Sequence, residues 1–210
     1  MNVKSLAYDA LIEYGIDSLP IRLGDKELNN IYIFSWQQYF SKCEKPVRSK
    51  IYKQDGAVMC LKATLDARYV LFYNDSLPEE TKRWVIAKLL YYARSGFAQE
   101  HACKYIMPDE EVKATEFASH FLCPDVILSK YEILNAEDII HYCRVPFSVA
   151  RRKARYLKNG YKRFQLPSLE KMKTCRTLEI VSRMRQVCFL NHYLFLHPQS
   201  ADMSNSGLNA

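Results

Sequence analysis

The chain's central hydrophobic segment is Thr81–Phe97, which reads TKRWVIAKLLYYARSGF. From Trp84 to Ala93 every residue except Lys88 is apolar or aromatic, and a helix that is hydrophobic all round normally lies at the centre of a domain. A buried ammonium group is costly unless a partner neutralises it. The segment therefore predicts a core helix that carries one lysine in need of a partner.

Length and composition bound the class of protein. The 210 residues, of which 49% are apolar, suffice for one domain of ordinary size with appendages or for two small ones. No apolar run is long enough to cross a membrane, and the amino-terminal residues lack the layout of a signal peptide. The 7 cysteines are scattered and form no C-x-x-C pair, which favours reduced thiols over a disulfide framework. We therefore expect a soluble, cytoplasmic protein that does not enter a membrane.

The first third of the chain predicts one helix followed by a small sheet. Apolar residues at helical spacing predict a helix over Val3–Tyr14, which Gly15 ends. Segments rich in β-branched and aromatic residues predict strands at Ile31–Trp36, Ala57–Leu61 and Tyr69–Tyr73, with a short helical segment after the first strand. The central helix follows this sheet.

The rest of the chain predicts helices, so the expected fold class is α+β. The positions of the prolines and the spacing of the apolar residues predict five helices. They are a helix from Pro108 that Pro124 ends, Val126–Leu134, Ala136–Cys143, Phe147–Leu157 and Ser168–Leu196. A tight turn over Arg144–Pro146 joins the third and fourth helices, and Gly160 is expected to close that pair. The small polar residues after Pro198 predict a disordered tail.

Four motifs in order carry a resemblance to a known family. They are YDALIEYGIDSLPI at Tyr8–Ile21, LPEETKRWVIA at Leu77–Ala87, E-x-x-A-x-x-F-A-S-x-F-L-x-P at Glu111–Pro124 and V-P-x-S at Val145–Ser148. Over roughly residues 8–160 the chain resembles the ImmA/IrrE family of zinc metallopeptidases. The resemblance implies a zincin-like helical core with a small sheet packed on it, followed by a helix-turn-helix-like pair.

The expected organisation has four parts. Residues 1–134 form the metallopeptidase-like domain that the resemblance implies, and residues 135–163 form the helix-turn-helix-like element. Residues 164–197 form a long carboxy-terminal helix, and residues 198–210 form the tail.

The resemblance fails at the residues that carry the family's chemistry. The family places H-E-x-x-H directly after the LPEETKRWVIA-type segment, with two histidines that bind zinc and a glutamate that acts as general base. Here Lys88 and Tyr92 occupy the histidine positions and Leu89 occupies the general-base position. Glu111 matches the third zinc ligand. Since a catalytic zinc site needs about three protein ligands, the resemblance implies a pseudopeptidase with no metal cofactor.

Two interpretations of Lys88 follow from its position. In the first, Lys88 and Glu111 form a buried or half-buried ion pair in which the ammonium replaces the charge of the metal. In the second, the stem of Lys88 lies along the core and its head group reaches solvent in the former groove.

Basic residues are concentrated near the end of the predicted helix pair. The net charge is +7, and the segment from Arg144 to Arg163 contains no acidic residue. On a helix, Arg151, Arg155 and Lys158 share one face and Arg152 lies beside it. Such a face is either the solvated side of a structural helix or a surface for an anionic partner.

Two classes of function therefore compete. In the first, the protein is an inactive peptidase relative that binds a protein, for which the resemblance suggests a repressor of a phage or mobile element. In the second, it is a nucleic-acid-binding regulator that uses the basic helix on a peptidase-like scaffold. Nucleic-acid affinity falls steeply with salt, whereas binding of a peptide in a groove changes little.

Overall fold

The computed structural model describes residues 2–23, 28, 30–41, 54–61, 68–100 and 108–163. Within these ranges the chain has three strands and eight helices, which confirms the predicted α+β class. The strands are β1 Ile31–Ser35, β2 Gly56–Leu61 and β3 Arg68–Tyr73. The helices are α1 Val3–Glu13, α2 Trp36–Phe40, α3 Glu79–Arg94, α4 Phe97–Glu100, α5 Pro108–Leu122, α6 Asp125–Lys130, α7 Ala136–Cys143 and α8 Phe147–Arg163. The predicted helix over Ser168–Leu196 and the predicted tail lie outside the described residues.

The three strands form one mixed sheet in the order β1-β3-β2. β1 runs parallel to β3, and β2 pairs with β3 in the antiparallel direction. Because side chains alternate across a strand, Val58 and Leu71 face the main core, which α3 also joins. On the other face the rings of Trp36 and Phe72 stack with their centroids 4.8 Å apart.

The helix α3 lies at the centre of the fold and contacts β2, β3 and α5. Its buried residues run from Val85 to Ala93 with the exception of Lys88, as the sequence predicts. It ends at Arg94, because Gly96 has a φ of +80°, in the region that favours glycine. The predicted segment Thr81–Phe97 therefore comprises most of α3, the turn at Ser95 and Gly96, and the first residue of α4.

Two other helix boundaries differ from the prediction. The helix α6 ends at Lys130 rather than near Leu134, because Tyr131 caps it and Glu132 adopts a φ of 56°. The helix α8 continues through Gly160 to Arg163. A glycine inside a helix costs about 1 kcal/mol relative to alanine, which is too little to end a helix by itself.

The connection between α7 and α8 is held against the central helix. Arg144 adopts a φ of 50° at the end of α7, and Val145 is fully buried. The guanidinium group of Arg83, on α3, donates to the carbonyl oxygens of Arg144 at 3.1 Å and Cys143 at 3.3 Å. These bonds satisfy carbonyl groups that a helix end leaves without partners.

Among the described residues, no helix combines the length and the apolar character needed to span a bilayer.

Candidate functional site

Three side chains from two neighbouring helices meet at the predicted degenerate site. Lys88 and Tyr92 are one helical turn apart on α3, and Glu111 lies in the first turn of α5. The Nζ atom of Lys88 is 2.6 Å from Oε1 of Glu111, and the Tyr92 hydroxyl donates to Oε2 of the same carboxylate at 2.8 Å. We call these three residues the Lys–Tyr–Glu site.

The contact between Lys88 and Glu111 confirms the predicted ion pair. The side chain of Lys88 is 24% exposed and that of Glu111 is 42% exposed, so the pair is half-buried and open to solvent on one side. The Lys88 head group therefore does not simply extend into water. Its charge is balanced by Glu111, the residue that the resemblance matches to a third zinc ligand.

Tyr92 acts in this site as a neutral hydrogen-bond donor. Burial, followed by the hydrogen bond to the Glu111 carboxylate, raises the pKa of Tyr92 far above its usual value. The neighbouring Tyr91 makes an equivalent contact, because its hydroxyl donates to Oε2 of Glu110 at 2.8 Å. Glu110 also pairs with Lys113. Each of the two carboxylates at the start of α5 thus receives one tyrosine hydroxyl and one lysine ammonium group.

Leu89, which the resemblance places at the general-base position, packs between α3 and the sheet. It is 5% exposed. A Cβ atom added to Gly56 of β2 would lie 2.9 Å from Cδ1 of Leu89 and 2.8 Å from Cγ1 of Val85. Glycine is therefore required at this point of β2 for the strand to approach α3 so closely. No side chain with acid–base chemistry occupies the position.

The Lys–Tyr–Glu site does not fit a zinc ion. An ammonium group and a neutral phenol both hydrogen-bond to the only carboxylate of the site, whereas zinc needs about three donors with free lone pairs. Lysine and tyrosine also reach further from a helix than histidine, by roughly the 2 Å length of a zinc–ligand bond. Elsewhere in the described part of the chain, no group of three or more His, Cys, Asp or Glu side chains could hold a metal ion.

Comparison of the chain with models of protein families, with curated proteins and with solved structures finds no match. The interpretation of the Lys–Tyr–Glu site therefore depends on the motifs of this chain and on the geometry of its side chains.

The predicted basic residues of α8 all lie on the exposed side of that helix. Arg151, Arg152, Arg155 and Lys158 are exposed, and we call them the basic face. The opposite side of α8 is buried against the rest of the protein through Val149, Ala150, Ala154 and Leu157. The structure thus brings the four residues together and separates them from the Lys–Tyr–Glu site, which lies on α3 and α5.

A second group of buried charges was not predicted from the sequence. Lys153 of α8 is only 3% exposed, and its ammonium group pairs with Asp125 of α6. Asp125 also receives the ammonium group of Lys4 at 2.9 Å and lies 3.2 Å from Nδ1 of His120. Lys153 further donates to the carbonyl oxygen of Ser119 at 3.3 Å. We call Asp125, Lys153, His120 and Lys4 the buried cluster.

The buried cluster keeps Asp125 ionised. Burial alone would raise the pKa of Asp125, but the close approach of His120 and the charges of Lys153 and Lys4 outweigh burial and hold the pKa well below its usual range. The cluster joins α1, α5, α6 and α8. A signal for it exists in the sequence, because Lys153 stands at helical spacing among Ala150, Ala154 and Leu157 and so falls on the apolar side of its helix.

Proposed function

We propose that this protein is a metal-free, degenerate relative of the ImmA/IrrE metallopeptidases that acts in the cytoplasm by binding another protein without cleaving it. The observation that carries the proposal is the convergence of Lys88 and Tyr92 on Glu111. These are the three positions that would hold zinc in a member with the H-E-x-x-H motif. The Tyr92 ring is packed in the core, and its hydroxyl and the Lys88 ammonium group both reach the carboxylate of Glu111.

The ion pair explains how such a scaffold is stable without metal. A zinc ion would compensate the charge of Glu111 and tie α5 to α3. Here the Lys88 ammonium group supplies the compensating charge, and the hydrogen bond from Tyr92 supplies a second connection between the helices. A half-buried carboxylate left without such partners would destabilise the fold. The loss of the general base at Leu89 removes the group that would activate water.

Protein binding is supported by the strand beside the site. β2 is one of the two edge strands of the described sheet, and it packs on α3 through Gly56 next to Leu89. An extended peptide can add to such an edge through main-chain hydrogen bonds, with side-chain contacts that give specificity. The family resemblance suggests a repressor of a phage or mobile element as the partner. Binding without cleavage would make the protein an antirepressor, a decoy or a sensor.

The test compares three forms of the full chain as bait in an extract of the native host. They are the wild type, the variant Lys88→Met/Glu111→Gln, which removes both charges of the site at unchanged net charge, and the surface variant Arg22→Gln/Arg68→Gln. We expect a repressor-like protein to bind the wild type and the surface variant and to be lost with the site variant. Its retention should change little between 50 and 200 mM salt, concentrations over which nucleic-acid complexes weaken greatly.

The purified partner is then incubated with the wild-type protein and its mass is measured. An intact partner in a stoichiometric complex supports the proposal. Cleavage of the partner would contradict it, as would equal retention of the partner by the site variant. Thermal melting of the site variant is recorded alongside, so that loss of binding is scored only for folded protein.

A further inference from the structure

The exposed side of α8 carries a dense positive charge that the proposed protein-binding function does not use. The side chains of Arg151, Arg152, Arg155 and Lys158 are exposed, and Arg144, at the start of the preceding turn, is exposed as well. No ion-pair partner is found for these five within the described residues. The sequence contains no acidic residue between Arg144 and Arg163 that could neutralise them. Lys153 lies on the same helix but does not belong to this exposed set, because its ammonium group is buried against Asp125.

The buried side of α8 fixes where these charges point. Val149, Ala150 and Leu157 pack in the core, and Lys153 is held by Asp125 and by the carbonyl oxygen of Ser119. The helix therefore cannot rotate about its axis without exposing apolar surface and an unpaired buried charge. The cations of the basic face are thus presented at the fixed spacing of a helix.

That spacing matches the charge density of a nucleic-acid strand. From Arg151 to Lys158 the helix rises about 10 Å, at 1.5 Å per residue, and carries Arg151, Arg155 and Lys158 in one row. One strand of B-DNA carries one phosphate per roughly 3.4 Å of axis, hence about three phosphates over the same length. Arginine predominates in the face, and its planar guanidinium group can bind phosphate oxygens through two hydrogen bonds.

We propose that the basic face of α8, with Arg144 beside it, binds the phosphate backbone of double-stranded DNA. A membrane surface fits less well, because the aliphatic residues of α8 are buried in the protein and, among its described side chains, only the aromatic Phe147 and Tyr156 are exposed for insertion among lipids. The contacts are with phosphates and carry no direct information about base sequence. This surface is separate from the Lys–Tyr–Glu site, and the proposal does not depend on the function assigned to that site.

The probe is a fluorescein-labelled duplex of mixed sequence, about 25 base pairs long, with binding to the full chain followed by anisotropy at several salt concentrations. If the protein neutralises about four phosphates, a plot of the logarithm of the association constant against the logarithm of the salt concentration should have a slope of roughly −3.6. That slope corresponds to a loss of about 150-fold in affinity between 50 and 200 mM salt.

The variant Arg151→Gln/Arg155→Gln should weaken binding at low salt by roughly tenfold or more and make the slope shallower by about 1.8. The matched control Arg22→Gln/Arg68→Gln removes the same net charge from exposed residues outside α8 and should behave as the wild type. Both variants should melt at the wild-type temperature, because all four arginines are exposed.

Three results would overturn the proposal. The first is no duplex binding at 50 mM salt, and the second is an equal loss of affinity in the two variants, which would indicate a nonspecific effect of net charge. The third is a preference, sensitive to the α8 substitutions, for the single strand or for vesicles of phosphatidylserine and phosphatidylcholine over the duplex.

Discussion

Replacing Lys88 and Tyr92 together by histidine should create a zinc site where the Lys–Tyr–Glu site now lies. Both residues lie one turn apart on α3 and contact the same carboxylate, Glu111, at 2.6 and 2.8 Å. Histidine is shorter than either residue, so the double variant opens a gap between the helices. Two imidazole nitrogens and one carboxylate would then surround it, which is a ligand set that holds catalytic zinc in proteins.

The expected stabilisation of the double variant by zinc follows from the linkage between metal binding and folding. Without metal, Lys88→His/Tyr92→His should be less stable than the wild type by about 1–3 kcal/mol, because the buried ring of Tyr92 is replaced by a smaller one and Glu111 loses its ion pair. With free zinc at 100 times the dissociation constant, binding should restore about 2.7 kcal/mol. In a protein of this size the melting temperature should rise by roughly 5–10 °C.

Elemental analysis after dialysis measures the zinc content, and thermal melts with zinc and with EDTA measure the stabilisation. The matched control is the same double variant with Glu111→Gln added, which removes the third ligand and leaves both histidines. We expect one zinc per chain in the double variant and a much smaller content in the control. If the two bind zinc equally, or neither binds it, Lys88, Tyr92 and Glu111 do not converge as described and the zincin-like interpretation fails.

Three further predictions concern packing and the buried cluster. Gly56→Ala should lower the free energy of unfolding by about 1–3 kcal/mol, because the new methyl group would lie 2.7 Å from the carbonyl oxygen of Phe72; an unchanged urea midpoint would contradict this packing. Asp125→Ala should lower the free energy of unfolding by about 3–5 kcal/mol, because it leaves the Lys153 ammonium group buried without its carboxylate. In the same urea titration, Asp125→Ala/Lys153→Met should lower the free energy of unfolding clearly less. The pKa of Asp125 is depressed in the folded protein. The ionised carboxylate therefore contributes fully to stability above about pH 3.9, the pKa of an aspartate in the unfolded chain, and this contribution is lost as the pH falls further. The wild type should therefore lose stability as the pH falls from about 4 to about 2, and Asp125→Asn should lose less over that interval; parallel curves would show that Asp125 does not contribute.

The sequence predicted those features that depend on strong local periodicity or on an unusual residue in a regular pattern. An almost wholly apolar segment marked α3 as the central helix, and the lysine inside it required a carboxylate. The motif that begins at Glu111 supplied that carboxylate, so the pair could be named without a structure. The order of a small sheet followed by helices was predicted from composition and spacing alone.

The features that were missed depend on which helices lie next to one another. No pattern near Tyr91 indicates that its hydroxyl meets Glu110, because that contact is created when α3 packs on α5. The burial of Lys153 was not predicted, since a count of the charges between Arg144 and Arg163 ignores the side of the helix on which each one lies. The position of the end of α8 was wrong because the modest cost of Gly160 was given more weight than the helical preference of its neighbours.

The lysines Lys88 and Lys153 have a common consequence for the way the helices are held. Lys88 joins α3 to α5 through Glu111, and Lys153 joins α8 to α6 through Asp125 and to α5 through the carbonyl oxygen of Ser119. If one of these helices slid by a turn of about 5.4 Å, the half-buried ammonium group of Lys88 or the buried one of Lys153 would be left without its carboxylate. Apolar packing alone tolerates such a shift more easily, so each pair fixes the relative position of its helices. A zinc ion at Glu111 would do the same for α3 and α5, but it would make their arrangement depend on metal and sensitive to chelators. In this chain the side chains of Lys88 and Tyr92 connect α3 to α5 through Glu111, so EDTA should leave the melting temperature of the wild type unchanged.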